Sequence, residues 1–386
     1  MGDLEWSEFR AQMPVASKWC YLDHAAVAPL PQTSAEQIRE WAREASEEGD
    51  TAWPLWSRRV EVTRSRAAEI IGATTDEIAL VPSTTAGLGL VAEGIDWRPG
   101  DNVVTLDNEF PSNLYPWLNL QSRGVTIRSV NTVNGFVDFN RINDACDERT
   151  RIVAISWVGY ASGWRIDVGE LAELVHRKGA LLCLDAIQGL GVFPLDVHAT
   201  QVDFLAADGH KWLLGPEGCG IFYVRKDLLP TLRPLGVGWN SVRHRYDFDK
   251  IQLDLRDEAA RYEGGSHNAV GAIGLGASLE LLQRAGLASN SDRLASRVIE
   301  LANRAEAELL GRGARFPYRR DLAHATGILT FSLPGHDPQE LRKVCLNQGV
   351  VLSCRGGGIR LSFHVYNDDS DLIRLFEALP AHAATA

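Results

Sequence analysis

The sequence predicts an α/β protein built on a doubly wound, mostly parallel sheet. Short apolar runs of strand length, at 103–106, 151–157 and 180–184, alternate with longer segments of helical periodicity such as 168–178. Strand, helix and strand in repeated order are typical of parallel sheets with right-handed crossover connections. At 386 residues the chain is too long for one small core, so we expect two domains or one large and one small lobe.

Composition limits the classes of partner and the compartment. Lys and Arg number 39 against 50 Asp and Glu, and the net charge of −11 argues against nucleic acid or an anionic membrane as the main partner. The six cysteines form no Cys-x-x-Cys pair, which favours reduced thiols over disulfides or a metal site. The amino terminus lacks the features of a signal peptide, and no run reaches membrane-spanning length. We therefore expect a cytoplasmic protein without a metal.

Two segments of the amino-terminal half carry polar residues beside apolar runs. Residues 19–31 form an extended segment that ends in prolines, and small residues after His24 would let backbone approach a ligand closely. A packed strand is the alternative for His24. The run 78–82 precedes Ser83-Thr84-Thr85-Ala86-Gly87 and a helical pattern at 88–95. Free N–H groups at that first helical turn suit a phosphate, although a simple hydroxyl cap would look the same.

Lys211 is the strongest candidate for a reactive side chain. It lies in Asp208-Gly209-His210-Lys211-Trp212, between a run at 202–207 and a second run at 221–224. The other lysines occupy charged or helix-like sequence. A lysine held among apolar neighbours loses solvation of its ammonium form, so its pKa falls and its amine becomes a nucleophile toward carbonyls. The alternative is a lysine that ends a strand and extends into water.

Asp185 ends the preceding apolar run at 180–184 and lies 26 residues before Lys211 (211 − 185 = 26). That separation leaves room for one crossover, so the two side chains are expected at neighbouring carboxyl ends of parallel strands. Pyridoxal phosphate needs a lysine for its imine and an acid for its pyridine nitrogen. A helix cap is the alternative role for Asp185.

The carboxyl-terminal part predicts a smaller α+β lobe. A helical pattern at 293–310 is followed by strand-like runs at 327–333 and 359–363. Arg360 lies among apolar neighbours and would need an anionic partner. A guanidinium suits a substrate α-carboxylate, and a structural salt bridge is the alternative.

The order Asp185-x-x-Gln188 followed by Gly209-His210-Lys211 resembles the class V aminotransferase family, over about residues 21–375. This family includes cysteine desulfurases, kynureninases and isopenicillin N epimerase-like proteins. The resemblance implies the type I fold of aspartate aminotransferase, with a mixed, mostly parallel seven-stranded sheet in a large domain at 20–265. Residues 1–19 and 266–386 would form the small domain.

The resemblance also implies a role for each candidate site residue. Lys211 would form the Schiff base with pyridoxal phosphate and act as the general base, while Asp185 would hold the ring nitrogen. Asp208 stands where many relatives have a phosphate-binding serine, and its carboxylate would repel a phosphate unless it points away or a neighbouring cation screens it. The resemblance further implies that Thr84, Thr85 and His210 contact the cofactor phosphate, that Phe110 stacks on the ring and that Gln188 lies near the phenolic oxygen. His24 and Arg360 would contact the substrate. Ser266 would reach the phosphate of the partner subunit's cofactor.

The last of these contacts implies a homodimer with shared active sites. For the reaction, the resemblance favours transamination or epimerisation at the α-amine of a small amino acid, close to the isopenicillin N epimerase-like branch. A cysteine desulfurase or selenocysteine lyase is one alternative. Phe110 in place of the usual histidine counts against it, as does the poor spacing of Cys354 for a persulfide carrier. A noncatalytic binding protein is the other alternative, and the presence of both Asp185 and Lys211 counts against it.

Overall fold

The computed structural model describes residues 4–249 and 251–381. The strands are β1 Cys20–Tyr21, β2 Ile78–Val81, β3 Asn102–Leu106, β4 Thr126–Val130, β5 Thr150–Ser156, β6 Leu181–Asp185, β7 Phe204–Asp208, β8 Gly220–Val224, β9 Ile328–Phe331, β10 Val350–Val351, β11 Ser353–Arg355 and β12 Gly358–Ser362. The α-helices are α1 Trp6–Ala11, α2 Gln32–Glu47, α3 Trp53–Ile70, α4 Thr84–Gly94, α5 Tyr115–Leu118, α6 Phe139–Ala145, α7 Val168–Arg177, α8 Ala269–Arg284, α9 Arg293–Gly311, α10 Pro338–Asn347 and α11 Asp369–Ala378.

The large sheet has seven strands in the order β2-β8-β7-β6-β5-β3-β4. All neighbouring strands run parallel except β8, which is antiparallel to both β2 and β7. Most of its strands are apolar and buried throughout, as expected for strands with helices on both faces. The predicted mixed, mostly parallel sheet of the type I fold is therefore confirmed.

The parallel pairing of β6 with β7 places two strand ends side by side. Asp185 is in register with Ala206, so the chain leaves both strands at the same edge of the sheet. The connection from β7 to the antiparallel β8 carries Lys211 and returns so tightly that Asp208 faces Gly220 across the pair. A Cβ at Gly220 would lie 2.5 Å from the carbonyl oxygen of Ala207, so only glycine fits there.

Helix α4 packs directly on the middle of this sheet. An added Cβ at Gly87 would lie 2.7 Å from the Cβ of Ala206 on β7. The close approach brings the first turn of α4 against the end of β7, and the Asp208 amide donates a hydrogen bond of 2.9 Å to Thr84 Oγ1. The amino terminus of α4 therefore opens at the same sheet edge as Asp185 and Lys211.

The smaller lobe contains an antiparallel sheet in the order β11-β12-β9 and the parallel pair β1-β10. Its core joins Leu301 of α9, Phe331 of β9 and Leu361 of β12, and it also includes Cys20 and Leu22 from the amino-terminal segment. Helix α8, by contrast, shares the apolar core of the large sheet. Core packing thus crosses the expected boundary at 265/266, and the domain limits stay a prediction.

Within residues 4–249 and 251–381, no helix is both long and apolar enough to cross a bilayer.

Candidate active site

A cavity of about 290 Å³ opens at the carboxyl edge of the large sheet, facing the smaller lobe. Its walls come from the start of α4, the ends of β6 and β7, the loop before β8 and the β11–β12 hairpin. The lining residues are Ala25, Ala26, Val27, Ser83, Thr84, Thr85, Phe110, Ser112, Tyr160, Asp185, Ile187, Gln188, Asp208, His210, Lys211, Arg355 and Arg360. Most of the residues predicted from the sequence therefore meet in one place.

Lys211 lies in this cavity with 8% of its surface exposed. Burial lowers its pKa to about 8, although the Asp185 carboxylate opposes the change by favouring the ammonium form. Arg360 adds to the lowering through like-charge repulsion. Nζ of Lys211 lies 5.6 Å from the ring centroid of Phe110. A substantial fraction of the amine is therefore neutral at mildly alkaline pH.

Asp185 lines the same cavity and is 3% exposed. Burial raises its pKa to about 6, while a hydrogen bond from the Ile187 amide, at 3.0 Å, and the charge of Lys211 both lower it. The carboxylate is therefore mostly ionised at neutral pH. An ionised acid in an apolar wall can hold a protonated ring nitrogen.

The first turn of α4 forms an anion-binding end of the cavity. The Ser83 hydroxyl caps the helix by accepting a hydrogen bond from the Ala86 amide at 3.1 Å, and Thr85 is exposed to the cavity. His210 reaches this end from the loop after β7, with Nδ1 3.0 Å from Oδ2 of Asp208. Free amides, two hydroxyls and an imidazole are suitable donors for a phosphate.

Phe110 and Tyr160 form an aromatic wall. Their ring centroids lie 5.3 Å apart in an edge-to-face arrangement. The neighbouring Glu109 is buried and accepts hydrogen bonds from the Ser156 amide at 2.7 Å, from the Ser156 hydroxyl, and from Asn113 Nδ2 at 3.0 Å. These bonds tie the segment that carries Phe110 to the end of β5. Sequence reasoning missed Glu109, because nothing in the linear sequence indicates that a carboxylate after β3 is buried.

Arg360 enters the cavity from β12 and is 2% exposed. It donates hydrogen bonds to the Tyr160 carbonyl at 2.9 Å and to Asp23 Oδ1 at 3.2 Å, while its Nε has no partner among the described residues. Burial lowers the pKa of this guanidinium despite the nearby Asp23 carboxylate. Both expectations for Arg360 therefore have support: it forms a salt bridge and it also faces the cavity.

The β11–β12 hairpin places Arg355 in the cavity wall and directs Cys354 to the opposite face of the strand. Arg355 lines the cavity, whereas the Cys354 thiol donates to the Pro338 carbonyl at 3.3 Å and packs on the core of the smaller lobe. Successive side chains of a strand alternate between faces, which accounts for this difference. That alternation is also the sequence signal that could have assigned Arg355 to the site.

Gln188 and His24 differ in what they offer a ligand. Gln188 lines the cavity, but its Nε2 donates to the Ala25 carbonyl at 3.0 Å and its Oε1 accepts from Trp212 Nε1 at 2.8 Å. His24 is fully buried, with Nδ1 2.8 Å from the Ser362 carbonyl and Nε2 2.8 Å from the Tyr366 hydroxyl. The substrate-side prediction for His24 therefore needs correction. Its ring packs in the interior, and the cavity wall comes from residues 25–27.

Ser266 lies outside the Lys211 cavity. It lines a second cavity of about 310 Å³ together with Cys219, Glu263 and His267. Within one chain it therefore makes no contact with the site of Lys211. Its predicted contact with a partner subunit's cofactor stays a prediction.

The residues of the first cavity fit the cofactor that the resemblance implies. The donor set at α4 suits a phosphate, Asp185 suits a ring nitrogen, and the Phe110 ring offers an aromatic face. Several buried polar atoms here lack hydrogen-bond partners among the described residues, including Arg360 Nε and His210 Nδ1. Polar atoms left in this way are expected where a ligand completes the hydrogen bonding.

Comparisons with known proteins identify the family. The sequence model of the family described as Aminotransferase class-V matches residues 20–375. A probable cysteine desulfurase of Methanothermobacter thermautotrophicus is 32% identical over 394 residues, which cover 96% of each protein. Among solved structures, the apo cysteine desulfurase of Thermococcus onnurineus NA1 superposes with a TM-score of 0.87 at 25% identity over 98% of both chains. The cysteine desulfurase CsdA of Escherichia coli gives a TM-score of 0.86 at 25% identity over 97% of both. The chain therefore belongs to the class V aminotransferase family and is a pyridoxal-phosphate-dependent enzyme of the type I fold.

Proposed function

We propose that this enzyme cleaves the carbon–sulfur bond of a small sulfur-containing α-amino acid. The observation that carries the proposal is one cavity that joins the buried amine of Lys211 to Asp185 and Arg360, in a chain similar over almost its whole length to proteins described as cysteine desulfurases. Transamination and epimerisation, which we expected from the family resemblance, gain no support from these relatives.

Lys211 acts as the base. Its lowered pKa leaves a usable fraction of neutral amine near neutral pH, and burial keeps competing water away. In this role it removes the proton from the substrate Cα and holds it at Nζ. The bond between Cβ and sulfur then breaks, sulfur leaves with the bonding electrons as a thiolate, and the thiolate takes up a proton. Hydrolysis of the three-carbon remainder gives pyruvate and ammonia.

The other residues hold the reacting groups. When bound, pyridoxal phosphate supplies an electron sink for the pair left at Cα. Asp185 would pair with its ring nitrogen, and Gln188 would contact its phenolic oxygen. Phe110 would cover a ring face, and Thr84, Thr85 and His210 would hold the phosphate at the first turn of α4. Arg360 binds the substrate carboxylate, for which a buried guanidinium that lines the cavity is suited.

The position of Cys354 supports release of sulfur without a protein-bound persulfide. Its thiol faces α10, burial raises its pKa, and the described lining of the cavity includes no cysteine. A thiol with a raised pKa is a poor sulfur acceptor. Transfer of sulfur to Cys354, with alanine as the other product, is the second candidate because the relatives are described as desulfurases.

A homodimer belongs to the same proposal. Residues 237–249 and 251–253 expose several large apolar side chains, and Ser266 lines a cavity separate from that of Lys211. Exposed patches of this kind are typical of subunit interfaces. Light scattering of the purified chain tests this assignment, and the expected mass is twice 42.4 kDa.

Product analysis tests the reaction. The reconstituted enzyme is given L-cysteine, L-cystine and a panel of small amino acids without sulfur, and sulfide, pyruvate, alanine and racemised substrate are measured. We expect sulfur release with pyruvate, lost in Lys211→Ala and kept in Cys354→Ala. Alanine that disappears in Cys354→Ala would support the desulfurase instead. Turnover confined to amino acids without sulfur would contradict carbon–sulfur cleavage.

A further inference from the structure

The anion-binding end of the cavity contains a carboxylate. Asp208 is 6% exposed, and its Oδ1 has no hydrogen-bond partner among the described residues. Its Oδ2 lies 3.0 Å from His210 Nδ1, which is within ion-pairing distance, yet Nδ1 also lacks a well-directed hydrogen bond. Asp208 is therefore buried and His210 half-buried, the hydrogen bonding of both is incomplete, and both line the same cavity as the first turn of α4.

A phosphate at α4 would lie close to this carboxylate. The Asp208 amide donates a hydrogen bond of 2.9 Å to Thr84 Oγ1, so the backbone of Asp208 directly contacts the first residue of α4. Two negative groups at such short range disfavour each other's charged forms, more strongly in a buried site than in water. A proton on the Asp208–His210 pair would remove this repulsion and leave the imidazole as a charged donor to the phosphate.

We propose that the Asp208–His210 pair takes up one proton when a dianionic phosphate binds at the first turn of α4, so that affinity for the phosphate falls as pH rises. The proton comes from solvent and lies between Oδ2 of Asp208 and Nδ1 of His210. This inference rests on the phosphate site assigned under the proposed function.

Other titratable groups surround the pair and decide the choice of probe. Lys211 lies on the same loop and titrates near pH 8. Cys219 lies at the end of this loop, directly before β8, and burial raises its pKa to about 12. The cavity also contains the charges of Asp185, Arg355 and Arg360. A probe that carries a phosphate must therefore lack an aldehyde, because reaction with Lys211 would change the proton count.

Calorimetry measures the proton directly. The full chain is used in a Lys211→Ala background, because Lys211 titrates near pH 8 and would itself take up protons when an anion binds. Freed of cofactor, this protein is titrated at pH 8 with 4-deoxypyridoxine 5-phosphate and separately with sulfate, each in two buffers of different ionisation enthalpy, and all further variants are compared in the same background. We expect uptake of about one proton with both probes, and a dissociation constant that rises up to about tenfold per pH unit above neutrality. In Asp208→Asn we expect no uptake, a flat pH dependence and tighter binding at pH 8. Glu217→Gln, an exposed carboxylate on the same loop, serves as the matched control and should behave as the wild type.

A double variant separates electrostatics from folding. His210→Gln leaves Asp208 without its cation and should weaken binding of both probes, and His210→Gln with Asp208→Asn should recover most of the loss. Equal proton uptake in the wild type and Asp208→Asn would overturn the inference. Uptake with the phosphate probe but not with sulfate would place the proton on the ligand and also overturn it. Binding of neither probe would instead contradict the phosphate site itself.

Discussion

Nη2 of Arg360 lies 3.2 Å from Oδ1 of Asp23, and the same carboxylate oxygen accepts a hydrogen bond from Oγ of Ser353 at 2.7 Å. The guanidinium that we assign to the substrate carboxylate is thus held in place by a carboxylate of the amino-terminal segment. This arrangement orients Arg360 before substrate arrives, which reduces the side-chain ordering that binding would otherwise require.

The first prediction concerns this ion pair. Asp23→Asn removes the charge that balances a buried guanidinium, so we expect the free energy of unfolding to fall by about 1–3 kcal/mol. Chemical denaturation monitored by tryptophan fluorescence measures the change. Asp50→Asn, at an exposed position, is the control and should stay within about 0.5 kcal/mol of the wild type. Equal stability of the Asp23 and Asp50 variants would show that the pair does not hold Arg360.

The second prediction is a pH dependence due to Glu109. Burial raises the pKa of this carboxyl to about 7, and the Asp185 charge adds to the increase. Between its ordinary value of 4.5 and pH 7 the folded protein binds more protons at this group than the unfolded chain does. Stability therefore falls as pH rises through this interval, and the loss is complete above pH 7.

The Glu109→Gln variant isolates that contribution. Between pH 5 and 7.5 we expect the wild type to lose about 1–3 kcal/mol more stability than the variant, because an amide keeps the shape of the side chain without titrating. Denaturation curves at several pH values measure the difference. Parallel curves for the two proteins would mean that Glu109 does not titrate in this range.

The third prediction uses two glycines of α4. Gly87→Ala would push the helix from β7, because its Cβ would meet Ala206 at 2.7 Å, and we expect a loss of about 1–3 kcal/mol. Gly89 has no atom within 4 Å of an added Cβ, so Gly89→Ala should be neutral or stabilising by about 0.5–1 kcal/mol. Thermal unfolding of both variants measures this contrast. A destabilised Gly89→Ala would contradict the packing of α4.

Much of the fold could be predicted, because parallel strands separated by crossovers constrain where their ends lie. Asp185 and Lys211 each follow an apolar run, and the register of Asp185 with Ala206 brings those runs side by side, as the spacing of 26 residues predicts. The first turn of α4 could be recognised for a similar reason. Its hydroxyls follow β2 directly, so they must open at the end of a strand.

Side-chain direction could not be predicted where no periodic pattern exists. His24 follows β1 in an irregular segment, and its inward direction depends on Ser362 and Tyr366, more than 330 residues away. The pairing of Asp208 with His210 likewise depends on the turn before β8. The sequence raises the problem of a carboxylate beside a phosphate, but only the fold indicates which cation lies next to it.

The most direct test of the proposed role of Lys211 is to identify the lysine that bonds to the cofactor. The purified enzyme is incubated with pyridoxal phosphate and reduced with borohydride, and the modified peptide is identified by mass spectrometry. We predict one modified site, at Lys211, and loss of this modified peptide in Lys211→Ala. Modification of an exposed lysine such as Lys226 in the wild type, with Lys211 left free, would contradict it.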